Sequence, residues 1–447
     1  MTNAAAIDVQ ALIETRPPSK DQWLIYALCF ACLVVDGFDL QALSFTAPSL
    51  IHDWKISSAV MGPVFSAALE GILIGSFLFS MLADKIGRRP VLILATFWFA
   101  LLTYFTGQSA SVHELTILRF IAGVGLGGIM PNAMALAGEY AAARRRVVVM
   151  MIVSTGFTSG ALMAGIVAQR LIPNSGWRSM FTCGAALALL VGVAMIALLP
   201  ESLPFLALKG GRSKSANRWL HRFAPEYAGE HVLTLTGHHR AEGVPLARLF
   251  ADRRALTTVL LWLVNFLNLL NLYFLTNWLP TAVHEFGFSN LIAIRAGTFV
   301  QIGGLIGGLA LGLFARRLGL VRVLTATLVI GSVSLLAISR PGLPVGALLL
   351  VALLAGFSIS GGQVGVNALT AISYPTELRA TGIGASLGIG RVGAILGPTI
   401  AGTLLLHHWQ PHSLFVAAAL PAILSAIAVL SLSGYVPRME QEQASSL

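Results

Sequence analysis

Twelve long apolar runs account for most of this chain of 447 residues. Each run reaches or exceeds the roughly 20 apolar residues that a helix needs to cross the hydrocarbon core of a bilayer. The runs, which we number as helices 1 to 12, fall at 23–49, 59–83, 89–108, 112–138, 146–171, 177–199, 255–283, 290–315, 320–339, 343–373, 380–406 and 413–435. They predict an all-α integral membrane protein with twelve transmembrane helices.

The charge content points the same way. Only 11% of the residues are charged, whereas a soluble globular domain carries roughly 25%, so a soluble enzyme is excluded. The net charge of +10 would suggest a nucleic-acid partner only if the basic residues shared one soluble face. They are scattered over short loops instead, and no nucleic-acid partner is expected. No spacing typical of metal ligands occurs, so no metal site is predicted.

The helices divide into two halves of six around one polar stretch. Residues 201–254 contain nine Lys and Arg residues, and this is the one polar segment long enough to join two domains. The predicted domains are a cytoplasmic segment 1–22, a bundle 23–200, a cytoplasmic linker 201–254, a bundle 255–435 and a cytoplasmic tail 436–447. This arrangement is typical of transporters that alternate access by rocking two halves around a central site.

The short loops set the orientation, because Lys and Arg are retained on the cytoplasmic side of the membrane. If the N-terminus is inside, ten basic residues lie in the short cytoplasmic loops: Lys85, Arg88, Arg89, Arg144, Arg145, Arg146, Arg316, Arg317, Arg322 and Arg379. Five lie in the outer loops: Lys55, Arg170, Arg178, Arg295 and Arg340. This bias predicts that both termini are cytoplasmic.

A few ionisable side chains lie inside the predicted spans, where each is costly and therefore a candidate functional group. Asp36 and Asp39 lie about 20 Å along helix 1, and Glu70 is about as deep in helix 2. Arg119 is in the outer half of helix 4, and Arg391 lies about 18 Å into helix 11. We predict that Asp39, Asp36, Glu70 and Arg119 serve proton coupling.

The two carboxylates of helix 1 are three residues apart, so they share a helix face. Their mutual repulsion and their removal from water both favour a neutral carboxyl group in at least one of them. A carboxyl group that can change its charge is what a proton-coupled carrier requires. Asp39 is the first choice for the proton carrier and Asp36 the second, and a hydrogen-bonded structural aspartate is the alternative. The predicted energy source is the proton gradient, so no cofactor is expected.

The loop between helices 2 and 3 reads Ala83-Asp84-Lys85-Ile86-Gly87-Arg88-Arg89, and it resembles the signature loop of the major facilitator superfamily. A carboxylate held by arginines and by helix N-terminal dipoles can act as a latch that breaks when the cytoplasmic side opens. We predict a gating latch of Asp84, Arg88, Arg89, Glu139 and Arg144. Glu139 pairs either with this loop or with the basic run that begins at Arg144.

Further motifs extend the resemblance over nearly the whole chain. They are Asp36-Gly37-Phe38-Asp39, the glycines 123–128 with Pro131-Asn132, Pro200-Glu201-Ser202, Asn277-Trp278-Leu279-Pro280, and Gly390-Arg391-Val392-Gly393. Together they resemble the aromatic acid:proton symporter family, whose members are bacterial inner-membrane carriers that import benzoates, hydroxybenzoates, protocatechuate and phenylpropionates for catabolism. The resemblance implies that transport depends on Asp36, Asp39, Asp84, Arg119, Glu139 and Arg391.

The residues themselves also suit an aromatic acid. Arg391 offers a planar, bidentate guanidinium group for a carboxylate in an otherwise apolar helix. Helix 7 carries an unusual number of amides and aromatic rings, and helices 4 and 10 add three more amides. The predicted substrate-binding residues are Arg391, Asn132, Asn268, Asn271, Tyr273, Phe274, Trp278, Gln363 and Asn367. For each amide, an interhelical hydrogen bond is the alternative role.

The sequence therefore predicts a multi-pass, monomeric carrier of the bacterial inner membrane that imports small aromatic carboxylates together with protons. An exporter working as an antiporter of small organic anions is the first alternative, although the Gly-Pro-rich helix 5 motif of such antiporters is missing from 154–160. A membrane enzyme or a receptor is the second. No nucleophile-base pair or phosphate loop supports an enzyme, and no soluble output domain supports a receptor.

Overall fold

The computed structural model describes residues 6–15, 19–209, 220, 232–234, 246–251 and 254–434. Within these residues, twelve helices are long and apolar enough to cross a membrane, and each overlaps one predicted run. They are Lys20–Trp54, Ser58–Ile86, Arg88–Gln108, Val112–Glu139, Ala143–Ser175, Arg178–Leu198, Ala255–Glu285, Asn290–Leu318, Leu320–Ile338, Val345–Ile372, Thr381–Leu406 and Pro411–Ser431. The predicted tail 436–447 and most of the predicted linker lie outside the described residues.

Two of these helices are irregular near their middle. Helix 4 consists of Val112–Gly127 and Ile129–Glu139, which meet at Gly128 just before Pro131. Proline has no N–H to donate to the preceding turn, so this position tolerates a break. Helix 10 contains a π-helical segment, Gly356–Ser360, between two α-helical parts. Such segments leave backbone groups for other partners and often lie at functional sites.

Glycines allow close helix packing where the candidate site is built. A Cβ atom added at Gly393 of helix 11 would overlap the backbone carbonyl of Phe266 in helix 7. One added at Gly303 of helix 8 would overlap the carbonyl of Leu353 in helix 10. Small residues of this kind let membrane helices approach until polar side chains on both can meet. They therefore let helix 11 pack closely against helix 7, and helix 8 against helix 10.

The contacts divide the chain into two compact units. The first contains the described residues of Met1–Asp39, Glu70–Gly160 and Phe181–Arg240. Outside its membrane helices, strand Ala6–Asp8 pairs in parallel with Val232–Thr234, and the short helix Val9–Thr15 follows the first strand. The predicted N-terminal segment therefore contains ordered structure that its sequence did not suggest.

The second unit contains Leu40–Leu69, Ala161–Met180 and the described residues of Ala241–Leu447. Hydrogen bonds explain why parts of helices 1 and 2 belong to it. The Gln41 amide donates to the carbonyl of Thr276 at 3.0 Å, and the Ser66 hydroxyl donates to the carbonyl of Ile395 at 2.9 Å. This grouping by contacts differs from the division by sequence order, and the two halves 23–200 and 255–435 stay a prediction.

Candidate functional site

A buried ion pair links two of the predicted proton-coupling residues. Nη2 of Arg119 in helix 4 lies 2.9 Å from Oδ2 of Asp39 in helix 1, and neither side chain has any exposed surface. The Thr103 hydroxyl of helix 3 donates a hydrogen bond to the other carboxylate oxygen at 2.8 Å. Nε and Nη1 of Arg119 have no hydrogen-bond partner among the residues that the structure describes. The pair is therefore held from three helices and keeps hydrogen-bonding capacity.

The other two predicted proton-coupling residues differ in their surroundings. Asp36 is buried, with 4% of its surface exposed, one turn before Asp39. Glu70 is exposed and makes no hydrogen bond or ion pair with any part of the chain described by the structure. The structure therefore brings Asp39 and Arg119 into contact and leaves Glu70 as an accessible carboxyl group on helix 2.

Three of the five predicted latch residues form a charged cluster in the first unit. Nη1 of Arg88 lies 2.6 Å from the Asp84 carboxylate, and Nε of the same side chain lies 3.5 Å from Glu139. Asp84 is largely exposed, whereas Arg88 and Glu139 are mostly buried. Arg144 is exposed and forms no ion pair within the described ranges. Glu139 therefore pairs with the loop between helices 2 and 3 and not with Arg144.

Arg89, the remaining latch residue, binds the end of helix 6 through its side chain. Its Nε and Nη2 donate to the backbone carbonyls of Leu199 and Ile196, both at 2.7 Å. A guanidinium group is well placed there, because the last carbonyls of a helix have no intrahelical partners and carry partial negative charge. Arg89 thus ties the start of helix 3 to the end of helix 6.

Glu201 is part of the same cluster, although it was not among the predicted site residues. Its Oε1 accepts hydrogen bonds from the backbone N–H groups of Arg88 at 3.0 Å, Arg89 at 3.2 Å and Ser202 at 2.9 Å. Burial raises the pKa of this carboxyl group above the ordinary glutamate range, and the three N–H groups oppose that shift. Two features of the sequence could have identified Glu201: the motif Pro200-Glu201-Ser202, and its position on the same side of the membrane as the basic loop between helices 2 and 3.

Arg391 lies in helix 11 where that helix packs against helix 7. Its neighbours Gly390 and Gly393 contact the backbone of Asn265 and Phe266. The side chain is partly exposed and makes no hydrogen bond or ion pair with any described residue. Arg391 is therefore a partly exposed cation within a span that has no described acidic partner.

Amide side chains of helices 7 and 10 form a hydrogen-bonded chain. Asn268 Nδ2 donates to Gln363 Oε1 at 2.7 Å. Gln363 Nε2 donates to Asn367 Oδ1 at 2.9 Å and to Asn265 Oδ1 at 3.0 Å. The structure thus brings three of the predicted substrate-binding amides together, and adds Asn265, which the prediction did not include.

The remaining predicted substrate-binding residues have other surroundings. The Asn132 amide donates to the carbonyl of Gly128 in its own helix at 2.8 Å. Phe274 packs edge-on against Phe415, and the buried Trp278 donates from its indole N–H to the carbonyl of Pro398 at 3.2 Å. Asn271 is buried, and Tyr273 is partly buried. Phe274, Trp278 and Asn132 therefore have identified packing or helix-internal contacts.

A separate cavity of about 460 Å³ lies within the second unit, at the C-terminal ends of helices 1, 5 and 7. None of the predicted substrate-binding residues lines it. Asp53 at its wall accepts hydrogen bonds from the Trp177 indole at 3.1 Å and from Arg178 at 3.4 Å. These contacts tie the end of helix 1 to the connection between helices 5 and 6.

Comparison with known proteins agrees with this architecture. A family model described as the Major Facilitator Superfamily matches residues 29–398 and 261–446. A 4-hydroxybenzoate transporter of Pseudomonas aeruginosa is 37% identical, and the alignment covers 95% of each chain. A gallate transporter of Pseudomonas putida is 36% identical over 96% of this chain and 95% of the relative. A benzoate transport protein of Acinetobacter baylyi is 31% identical over 95% of this chain and 92% of the relative.

Solved structures show the same fold at lower identity. The xylose transporter XylE of Escherichia coli, in an inward open conformation, has a TM-score of 0.69 and is 18% identical over 93% of this chain and 96% of that chain. The twelve helices and the family match together make this a multi-pass membrane protein. The chain belongs to the Major Facilitator Superfamily, in the group formed by the transporters of 4-hydroxybenzoate, gallate and benzoate.

Proposed function

We propose that this protein is a proton-coupled symporter that imports aromatic carboxylates of the benzoate and hydroxybenzoate class by alternating access. The observation that carries the proposal is full-length similarity to relatives named as gallate, 4-hydroxybenzoate and benzoate transporters. The proposed location is the bacterial inner membrane, with both termini in the cytoplasm and with the monomer as the working unit. The superfamily consists of transporters, so a role as an enzyme is set aside.

Arg391 is the proposed ligand of the substrate carboxylate. It is the cation in helix 11 that has no described acidic partner, and it is accessible. A planar guanidinium group binds a carboxylate through two parallel hydrogen bonds, and a charged hydrogen bond of this kind contributes about 1.5–3 kcal/mol. Arg119 is a weaker candidate for this role because Asp39 already neutralises it.

Asp39 is the proposed proton carrier, with Asp36 as the second candidate. In its charged form Asp39 is stabilised by Arg119 and Thr103. Uptake of a proton would remove the negative charge, break the ion pair and leave the Arg119 guanidinium without its anion. The pair can therefore respond to a single proton with a large change in local electrostatics, which is the property a coupling site requires.

The cluster around Arg88 and Glu201 is the proposed cytoplasmic latch. Its contacts join the loop between helices 2 and 3 to the ends of helices 4 and 6. Alternating access requires a set of contacts that is made in one state and broken in another. The Arg88–Asp84 contact suits this role because Asp84 is largely exposed, and water can replace such a contact at modest cost when the helix ends separate.

Uptake by proteoliposomes tests the proposal. Purified protein is reconstituted, and labelled benzoate or 4-hydroxybenzoate is added with the outside acidic or with equal pH on both sides. A symporter accumulates the acid above the outside concentration only with the acidic exterior, and a protonophore abolishes the accumulation. Because the neutral acid also crosses lipid unaided, protein-free liposomes and the Arg391→Ala variant are the controls.

The direction of the response distinguishes the alternatives. An antiporter would expel preloaded acid as protons enter, whereas a symporter would retain and concentrate it. Exchange of labelled for unlabelled acid without any response to the pH gradient would contradict proton coupling and leave transport itself standing. Absence of protein-dependent movement for every aromatic acid in the panel would contradict the proposed substrate class.

A further inference from the structure

The amide of Asn265 has a fixed orientation. Its Nδ2 lies 3.2 Å from the Thr370 hydroxyl, 2.6 Å from the Ser386 hydroxyl and 3.3 Å from the Leu261 carbonyl. Both hydroxyl groups donate their protons to backbone carbonyls, that of Val366 for Thr370 and that of Leu261 for Ser386.

These oxygens can therefore only accept from the Asn265 side chain. A hydroxyl group has one proton, and a carbonyl has none, so all three neighbours present lone pairs. The nitrogen of Asn265 must face them, and Oδ1 must face away. That oxygen accepts from Gln363 Nε2 at 3.0 Å, which places the nitrogen of Gln363 toward helix 7.

A second anchor, independent of the first, gives Gln363 the same orientation. Asn268 Nδ2 donates to the backbone carbonyl of Ile359 at 3.2 Å, within the π-helical segment of helix 10. The same nitrogen donates to Gln363 Oε1 at 2.7 Å. Since a carbonyl only accepts, Asn268 cannot be reversed, and Gln363 must keep its oxygen toward Asn268. The orientation of Gln363 is thus determined from both sides.

Asn367 is the last residue of this hydrogen-bonded series of amides. Gln363 Nε2 donates to Asn367 Oδ1 at 2.9 Å, so the oxygen of Asn367 is engaged and its Nδ2 points away from the network. The Asn367 side chain is exposed, although it lies in a membrane helix beside buried amides. An exposed amide on such a polar face belongs beside an aqueous cavity, because lipid offers it no hydrogen-bond partner. Asn367 therefore presents N–H donors.

Asn367 and Arg391 are offset along the membrane normal by about the length of a small aromatic acid. Gln363 and Thr370, which flank Asn367 in helix 10, both bond Asn265, so Asn367 is near the level of Asn265 along the membrane normal. Ser386 of helix 11 also bonds Asn265, and Arg391 lies five residues further along that helix, about 7.5 Å at 1.5 Å per residue. This axial offset is comparable to the length of a monocyclic acid from its carboxylate to a distal ring substituent.

We propose that Asn367 donates a hydrogen bond to an oxygen on the substrate ring while Arg391 holds the carboxylate, and that Asn265 is a positioning residue that sets the orientation of this donor. The inference rests on the proposed function. It identifies the favoured substrates as monocyclic aromatic acids with an oxygen acceptor, such as a hydroxyl or methoxy group, on the part of the ring remote from the carboxylate. A methyl group of similar size lacks the acceptor and is not favoured.

The test is a binding series with a donor-free control. Affinities of the purified protein are measured for benzoate and for its 3- and 4-substituted hydroxy, methoxy and methyl derivatives. At the better ring position, hydroxy and methoxy acids should bind roughly five- to tenfold more tightly than the methyl acid, the scale of one neutral hydrogen bond. In the Asn367→Leu variant, the hydroxy-to-methyl and methoxy-to-methyl affinity ratios should both fall to about one.

Two further variants test the orientation of the amide chain. In Gln363→Glu the side chain accepts from Asn268 but cannot donate to Asn367, whose amide then turns and presents Oδ1. The methoxy preference should disappear, whereas the hydroxy preference should remain because a hydroxyl group can donate. Asn265→Leu should lower the methoxy-to-methyl ratio only in part, because Asn268 then holds the orientation of Gln363 alone. Gln169→Leu, which removes an amide that donates to Gly165 of its own helix, should leave every ratio unchanged.

The outcomes separate this inference from the proposed function. If the parent binds benzoate but shows no preference for oxygen over methyl at either position, the inference is overturned and the proposed function stands. If Asn367→Leu keeps the parent ratios, the donor is another residue and the inference is overturned as well. If the parent binds none of the acids, the proposed function fails. Size-exclusion profiles identify folded variants, and the Asn367 and Gln363 variants decide the matter if Asn265→Leu does not fold.

Discussion

Arg119 and Asp39 form an ion pair that is completely removed from solvent, with 2.9 Å between Nη2 and Oδ2. Taking both charges out of water is expensive, and their attraction offsets that cost only while both partners are charged and in place. Thr103 adds a hydrogen bond to Asp39. A pair of this kind loses its attraction when either partner loses its charge, so neutralising one partner should destabilise the packing around it.

Asp39→Asn should abolish uphill uptake of the substrate. The amide cannot change its charge, so the pH gradient no longer drives accumulation, whereas exchange of internal for external acid does not require proton release and should continue. Both activities are measured in the same proteoliposomes. Asp53→Asn, at an exposed aspartate near the far end of helix 1, is the matched control and should accumulate substrate normally. Normal accumulation by Asp39→Asn would rule out Asp39 as the carrier.

The same pair predicts a non-additive effect on stability. Arg119→Leu or Asp39→Leu alone leaves an uncompensated buried charge, which costs about 3–5 kcal/mol. The double variant removes both charges and should be more stable than the sum of the two single losses implies. Thermal unfolding in detergent compares the four proteins. Additive decreases in the unfolding temperature would show that the two side chains do not interact energetically.

The membrane helices could be predicted from the sequence because the bilayer itself fixes their length and polarity. The run 290–315, for example, corresponds to helix Asn290–Leu318. The intramembrane charges Asp39 and Arg119 were also recognisable, since a charge in an apolar run stands out. Their pairing was not, because the two residues are 80 positions apart and meet only through the packing of helices 1 and 4.

The amide chain shows a further limit of sequence analysis. Asn268, Gln363 and Asn367 were predicted to bind substrate from residue type alone, but the sequence does not show which end of each amide faces which neighbour. That orientation depends on the hydroxyl and carbonyl groups around Asn265 and on the π-helical segment of helix 10, which no pattern in the sequence predicts. The prediction that Trp278 contacts substrate stays a prediction, and its indole N–H bonds the carbonyl of Pro398.

Arg391→Lys tests the requirement for a planar guanidinium group. Lysine keeps the positive charge but loses the bidentate geometry, so the affinity for benzoate should fall by about 1–3 kcal/mol. Equilibrium binding of benzoate to the purified protein measures the change. Arg295→Lys, at an exposed arginine of helix 8, provides the same chemical change away from the proposed site and should have no effect. Unchanged binding by Arg391→Ala would show that another group holds the carboxylate.

Glu201 should contribute more to stability than Arg144, although only Arg144 was predicted to belong to the latch. Glu201→Ala removes the acceptor for backbone N–H groups at the start of helix 3, and the loss of such a cap costs about 0.5–2 kcal/mol. Arg89→Ala should have a comparable effect because it frees two helix-end carbonyls. Unfolding temperatures of the purified variants provide the comparison. If Arg144→Ala lowered the unfolding temperature as much as Glu201→Ala does, Glu201 would not be the more important residue for stability.

Glu70 is predicted to add a second proton to the transport cycle. One monoanion moving with one proton is electroneutral, whereas a second proton makes the cycle electrogenic and adds about 2.3 kcal/mol per 100 mV of membrane potential. Glu70 is exposed within a membrane helix and has no described partner, so its carboxyl group is accessible. Uptake driven by an inside-negative potential, at equal pH on both sides, is compared between the parent and Glu70→Gln proteoliposomes. Potential-driven uptake in the parent that is lost in the variant supports the second proton. If uptake by the parent does not depend on the potential, or if uptake by the variant still does, Glu70 does not carry a second proton and has at most a role in packing.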